Sequence, residues 1–67
     1  MQYKIQSDKP IDVITVKKVR DCLVHGRGNV VVTAFFLKDF VDDFKSFDGT
    51  TIQLGNSKLF MEVLNLA

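Results

Sequence analysis

Residues 29–44 read NVVVTAFFLKDFVDDF, and their pattern changes half-way. From 30 to 36, apolar or β-branched residues follow one another without a break, whereas from 37 to 47 apolar residues recur every third or fourth position. A short continuous apolar run that follows a glycine is typical of a strand buried on both faces. Apolar spacing of three to four residues is typical of an amphipathic helix. The pattern therefore predicts a buried strand over 29–36 and a helix over 37–47.

The part of the chain before this stretch predicts one strand and one helix. MQYKIQ (1–6) alternates apolar and polar residues, which indicates a strand with one buried face. Between 11 and 25, apolar residues recur every three to four positions, which indicates an amphipathic helix. Gly26 and Gly28 follow directly. Because glycine just past the last turn commonly ends a helix, they mark its end.

The part after it predicts a third strand and a third helix. TTIQL (50–54) reads as a short strand, a turn follows at 55–57, and the apolar positions from 59 to 66 favour a helix. Strands alternating with helices imply crossover connections and a mainly parallel sheet. The expected fold is thus α/β, a single βαβαβα domain over 1–67 with a three-stranded mainly parallel sheet and three helices. The strand orders 1-2-3 and 2-1-3 both remain open.

The length of the chain makes this fold hard to complete alone. A 67-residue chain buries only about 60% of the surface that its unfolded form exposes. Hydrophobic residues form 46% of the sequence, which is enough for a core, but Cys22 is its one cysteine and no internal disulfide is possible. Three short helices give thin cover to a central strand that is apolar on both faces, and unpaired sheet edges invite another chain. The first hypothesis is therefore a small non-enzymatic interaction or regulatory module, which docks to a partner protein or forms a homodimer.

A second hypothesis rests on the basic residues of the helix region 16–27. Lys17, Lys18, Arg20 and Arg27 are candidate phosphate contacts of a small nucleic-acid-associated regulator, because such contacts need several cations on one face. Asp21 dilutes this patch, no aromatic platform accompanies it, and the net charge is only +1. The sequence therefore favours a protein partner over nucleic acid.

Candidate catalytic and metal-binding groups are few. Cys22 and His25 stand three residues apart, close enough to interact on a helix. However, Cys22 lies among apolar neighbours, which favours a buried structural cysteine over a reactive thiol. One cysteine and one histidine cannot complete a four-ligand zinc site. HGRGN (25–29) precedes a predicted strand, whereas phosphate loops lead from a strand into a helix. We expect no enzymatic activity, metal or cofactor, and the sequence identifies no small-molecule substrate.

The sequence also predicts where the protein is located. Its apolar runs are far shorter than the roughly 20 residues that a membrane-spanning helix needs. Lys4, Asp8 and Lys9 interrupt the beginning of the chain before a secretory apolar core can form. Together with the lone free thiol, these features predict a cytoplasmic protein with no membrane partner.

Residues 29–67 resemble the later part of a STAS domain, the fold of anti-sigma factor antagonists and of the cytoplasmic tails of sulfate transporters. The resemblance is carried by NVVV, by FFLKDFVDDF and by TTIQLGNSKLFMEVLNL. It is closer still to the small STAS-like domains of bacteria and their phages. It implies an α/β fold and a regulatory role through protein contacts.

The STAS resemblance also implies a site and shows a departure from it. Antagonists carry a phosphorylatable serine, preceded by aspartate, at the start of the helix after the central strand. This chain has Leu37-Lys38-Asp39 there, so phosphorylation at that point is not expected. In the family that helix and its entry loop meet protein partners. By resemblance, the contact candidates are Lys38, Asp39, Asp42 and Asp43.

Overall fold

A computed structural model describes residues 1–66, which form two helices and four strands in the order βααβββ. The elements are β1 (Gln2–Ser7), α1 (Val13–Gly26), α2 (Val30–Phe40), β2 (Phe44–Phe47), β3 (Thr51–Leu54) and β4 (Phe60–Asn65). The two helices follow each other directly, and the last three strands follow them. The connection from β1 to the later strands therefore runs through both helices.

The four strands form one mixed sheet in the order β2-β3-β1-β4. The central pair, β1 and β3, is parallel, with Ile5 opposite Ile52. β4 runs antiparallel to β1, with Leu64 opposite Tyr3. β2 runs antiparallel to β3, and its register shifts between Phe44 and Ser46. β2 and β4 are thus the two edges of the sheet.

The helices cover one face of this sheet. Alternate residues of β1 are buried, as a strand with one covered face requires. Val19 and Leu23 from α1 and Leu37 from α2 pack into the same core as Ile5 and Ile52. The fold is therefore a two-layer α/β arrangement with a single core between the layers.

A short linker folds the two helices against each other. Arg27 caps the C-terminal end of α1 with a left-handed backbone of φ 51°, and Gly28 follows with φ of 82°. Asn29 then begins α2 because its side chain accepts a hydrogen bond from the backbone N–H of Val32 at 3.0 Å. The helices cross closely, since a Cβ atom on Gly26 would lie 1.7 Å from Oγ1 of Thr33.

The predicted three-stranded, mainly parallel sheet with three helices is wrong, and the main error lies in residues 29–36. These residues begin α2, not a central strand. A continuous apolar run fits a buried strand and a buried helix segment equally well. Here the cap at Asn29 and the buried pair Thr33 and Leu37, one turn apart, belong to a helix. Packing against α1 and the sheet outweighs the strand preference of three consecutive valines.

Two further predicted helices are also corrected. The helix expected over 37–47 ends at Phe40, and Phe44–Phe47 forms the edge strand β2. The helix expected near the C-terminus is strand β4, which pairs with β1 along its whole length. The apolar residues at adjacent positions in 59–64 fit both the period of a helix and the period of a strand. The segment forms a strand because β1 has a free side with which it can pair. The predicted strands at 1–6 and 50–54 and the helix at 11–25 agree with β1, β3 and α1 to within two residues.

Asp12 and Asp48 stabilise the ends of elements through their carboxylates. Asp12 caps α1 by accepting from the Thr15 N–H at 2.7 Å, and this hydrogen bond lowers the pKa of its carboxyl. Asp48 accepts from the N–H groups of Thr51 and Thr50 in the β2–β3 turn, which lowers its pKa likewise. Both carboxylates are therefore stabilised in their ionised form by folding.

These caps predict how stability depends on pH. A carboxyl with a lowered folded pKa contributes stability above its unfolded value of 3.8, and this contribution is lost as the pH falls through the folded pKa. Asparagine at position 48 keeps the accepting oxygen but does not titrate. We expect Asp48→Asn to flatten the loss of urea stability below about pH 4, whereas Asp39→Asn, on the exposed side of α2, serves as the control. Equal acid sensitivity in the wild type and Asp48→Asn would contradict this assignment.

Candidate protein-docking surface

α2 carries apolar side chains on its outer side as well as its inner side. Thr33 and Leu37, one turn apart, are buried against α1 and the sheet. Val31 and Phe35, also one turn apart, lie on the opposite side with 78% and 64% of their surface exposed. Within residues 1–66 no segment covers this side. We use the term aromatic face for this side together with the adjoining flank of α2 that faces α1, and its members are Val31, Val32, Phe35, Phe36 and Phe40.

The rings of the aromatic face are packed on one another. Phe36 is central: its ring centroid lies 6.2 Å from that of Phe35 in an edge-on arrangement and 6.3 Å from that of Phe40 in a stacked one. The His25 ring on α1 lies 5.7 Å from Phe36. Such contacts hold aromatic rings in defined orientations. The result is a continuous strip of four rings that reaches from α2 onto the end of α1.

An open groove of about 370 Å³ lies beside this strip, between α1 and α2. Cys22, Phe36 and Phe40 form its apolar floor, and Lys18 and Asp21 stand at its side. Burial raises the pKa of the Cys22 thiol, and the nearby carboxylate of Asp21 raises it further. The thiol therefore stays protonated at neutral pH, where it acts as an apolar surface and not as a nucleophile.

The four residues suggested as partner contacts by the STAS resemblance fall into two separate pairs. Lys38 and Asp39 are exposed in the last turn of α2, next to the aromatic face. Asp42 and Asp43 lie in the turn between α2 and β2. The structure brings only the first pair close to the apolar surface.

Asp43 takes part in contacts within the chain. Its carboxylate oxygen Oδ2 lies 3.7 Å from Nζ of Lys9, and its backbone carbonyl accepts a hydrogen bond from the N–H of Gly55 at 2.8 Å. It also lines a polar cavity of about 140 Å³ at the carboxyl ends of β1 and β3. The buried Ser7 lines this cavity too, and its hydroxyl accepts from the N–H of Lys9. These bonds tie the loops around the cavity together.

The basic residues of the second hypothesis are spread around α1. Lys18 lines the groove beside α2. At about 100° per residue, Arg20 lies some 160° away from it around the helix axis, and Asp21 lies next to both lysines. Arg27 is outside the helix, in the linker to α2. The four cations therefore do not share one face.

No group of three histidine, cysteine, aspartate or glutamate side chains within residues 1–66 is arranged to hold a metal ion. The lone histidine packs its ring against Phe36. Neither of the helices described is both long and apolar enough to cross a membrane.

Sequence reasoning missed the aromatic face because it placed residues 29–36 in a strand. In a strand, positions 31, 33, 35 and 37 point to one side. In a helix, 31 and 35 lie opposite 33 and 37. The available signal was Asn29, a favourable N-cap, followed by pairs of large apolar residues four apart. A helix that is apolar around its whole circumference then predicts a second packing partner.

No family model matches the chain, and neither a curated protein nor a solved structure is detectably similar to it. The resemblance to STAS domains therefore stays a prediction.

Proposed function

We propose that this protein is a non-enzymatic interaction module that docks an amphipathic helix of a partner protein against its aromatic face. The observation that carries the proposal is the exposure of Val31 and Phe35 on the outer side of α2, together with that of Phe40, which lines the adjoining groove beside α1. Contiguous exposed apolar patches with a polar rim mark interaction sites on soluble domains. Large aromatic side chains are also the residues that most often dominate binding energy.

The shape and charge of the site favour a helical partner. The groove runs between two helices, and a third helix is the element that fits such a groove with residues at i, i+3, i+4 and i+7. Its floor is apolar, whereas charged groups of both signs stand around it: Lys18 and Asp21 on α1, Lys38 and Asp39 on α2. A matching ligand has an apolar face with charged residues along both flanks.

The test begins with selection of helix-forming peptides from a displayed library against the folded protein. Binding of a selected peptide is then measured for the wild type, for Phe35→Lys and for Val24→Lys. Val24 is 57% exposed on α1, outside both the aromatic face and the groove, so it is the matched control. We expect Phe35→Lys to weaken binding about tenfold or more, because the most exposed ring of the aromatic face, which packs against Phe36, is replaced by a charge. Val24→Lys is expected to bind like the wild type.

Two further readouts separate docking from folding. Since Phe35 contributes little to the core, Phe35→Lys is expected to change the free energy of unfolding by no more than about 0.5 kcal/mol. In a two-dimensional NMR spectrum, the peptide is expected to shift amide signals of α2 and the second half of α1. Equal binding by Phe35→Lys, or shifts confined to the sheet, would rule out this docking site.

A further inference from the structure

The edge strand β4 has an unpaired side. β4 pairs with β1 over all six of its residues, from Phe60 opposite Ser7 to Asn65 opposite Gln2. It is the last strand in the sheet order, so no strand of residues 1–66 lies on its other side. Phe60, Met61 and Val63 are exposed there, to between 42% and 57% of their surface. This edge is remote from β2, the edge that lies beside α2.

The β1–β4 ladder shows which peptide groups of β4 are free. Met1 and Leu66 exchange both backbone hydrogen bonds, from the Met1 nitrogen to the Leu66 carbonyl and from the Leu66 N–H to the Met1 carbonyl. In an antiparallel pair, hydrogen-bonded and non-hydrogen-bonded residues alternate. Phe60, Glu62 and Leu64 therefore direct their peptide groups to β1. Met61, Val63 and Asn65 direct theirs away from the sheet.

The two edges of the sheet differ in protection. β2 has only four residues, and the irregularity at Lys45 interrupts its pairing. Short length, a bulge and a lysine are devices that prevent edge-to-edge association. β4 has an uninterrupted register, no proline and no lysine, and its one charged residue is Glu62. It thus lacks the features that keep an edge strand from pairing.

We propose that β4 pairs antiparallel with β4 of a second copy of this chain, with Val63 opposite the partner's Val63. Two copies then form one eight-stranded sheet around a two-fold axis. In an antiparallel pair, both strands direct the N–H and C=O groups of alternate residues toward each other. Two copies of β4 present the same free N–H and C=O groups, so the edge can pair with itself. This surface is separate from the aromatic face, so the inference does not depend on the docking proposal.

Several registers of the β4–β4 pair place residues with outward-directed peptide groups opposite one another. Charge repulsion and the length of the overlap distinguish between these registers. A register centred on Glu62 places like charges directly opposite each other, which is unfavourable. A register centred on Met61 overlaps β4 only from Phe60 to Glu62, because the strand begins at Phe60. The register centred on Val63 overlaps from Met61 to Asn65 and places Glu62 opposite the partner's Leu64. It alone combines long overlap with no charge conflict.

Cysteine cross-linking tests the register directly. In this arrangement the two Val63 Cα atoms lie about 5.5 Å apart, within the range of a disulfide. The two Met61 Cα atoms lie about 14 Å apart, which is too far. Under mild oxidation we expect Val63→Cys to give a disulfide-linked dimer at least about tenfold faster than Met61→Cys. The wild type is the control for Cys22, which is buried. Equal rates, or faster cross-linking by Met61→Cys, would overturn the proposal.

Sedimentation equilibrium supplies an independent measurement without a new thiol. Pairing of five residues from each strand is a small interface, so we expect a monomer–dimer equilibrium between about 1 µM and 1 mM. Val63→Pro removes an N–H that points away from β1 and leaves the β1–β4 ladder intact. It is expected to raise the dissociation constant about tenfold or more, whereas Phe35→Lys is expected to leave it unchanged. A wild type that stays monomeric throughout would refute the inference, and loss of the dimer in Phe35→Lys would place the contact on α2.

Discussion

Leu37→Ala is expected to lower the free energy of unfolding by about 2–5 kcal/mol. Leu37 has no exposed surface and packs in the core with Ile5 and Ile52, so its removal leaves a cavity between α2 and the sheet. A chain of 67 residues has a total stability of roughly 3–10 kcal/mol. The expected loss is therefore a large fraction of the total stability. Urea unfolding followed by circular dichroism measures the effect.

Phe35→Ala is the matched control for Leu37→Ala, because it removes a larger apolar side chain two residues away. Phe35 is on the outer side of α2, so its loss is expected to change stability by no more than about 0.5 kcal/mol. If residues 29–36 continued as a strand, positions 35 and 37 would share a face and the two variants would behave alike. Similar destabilisation by both would contradict the helix.

Gly26→Ala is expected to destabilise the protein by about 1–3 kcal/mol, although alanine is the better helix former. The new Cβ would lie 1.7 Å from Oγ1 and 2.8 Å from Cβ of Thr33, and Thr33 is itself buried. Because neither side chain has free space, α1 and α2 must move apart. The expected sign is thus opposite to the one that helix propensity predicts.

Two additional variants identify the cause of this loss. Thr33→Ala removes the closest atom, Oγ1, so the double variant Gly26→Ala/Thr33→Ala is expected to be more stable than Gly26→Ala alone. Gly28→Ala is the backbone control: a Cβ there meets no atom within 4 Å, but φ is 82°. Its cost is expected to be about 1–2 kcal/mol from the left-handed conformation alone, and it should not respond to Thr33→Ala. If Thr33→Ala does not rescue Gly26→Ala, the close helix crossing is wrong.

The candidate docking surface depends on an element that the sequence pattern left ambiguous. Valine and phenylalanine in an unbroken run have the same apolar character in a strand and in a helix, and intrinsic propensity favoured the strand. The difference appears in which side chains share a side with Val31: Phe35 but not Thr33 in a helix, and both of them in a strand. That choice moved the predicted contacts from charged residues near 38–43 to the aromatic face.

The proposed self-pairing edge was likewise hidden by a predicted helix. Leu59, Phe60, Val63 and Leu64 fit the period of a helix. They form β4 because β1, with β3 on one side, has a free side that a further strand satisfies. Once that strand is present, β4 becomes the new edge of the sheet. The local pattern contains no information on this, since the pairing partner lies about 60 residues earlier in the chain.

The sequence by itself determined the elements whose pattern has one period and clear ends. The alternation in 1–6 specified β1, and the spacing and the glycines around 11–28 specified α1 and its end. It also indicated that the middle of the chain carries more apolar surface than so small a domain buries. Only the tertiary structure decided that this middle is a helix, that the last segment is a strand and that the strand order is β2-β3-β1-β4. The physical reason is that an apolar run buries a similar area as a helix and as a strand. Its conformation is therefore decided by the distant elements against which it packs: α2 packs against α1, and β4 pairs with the free side of β1.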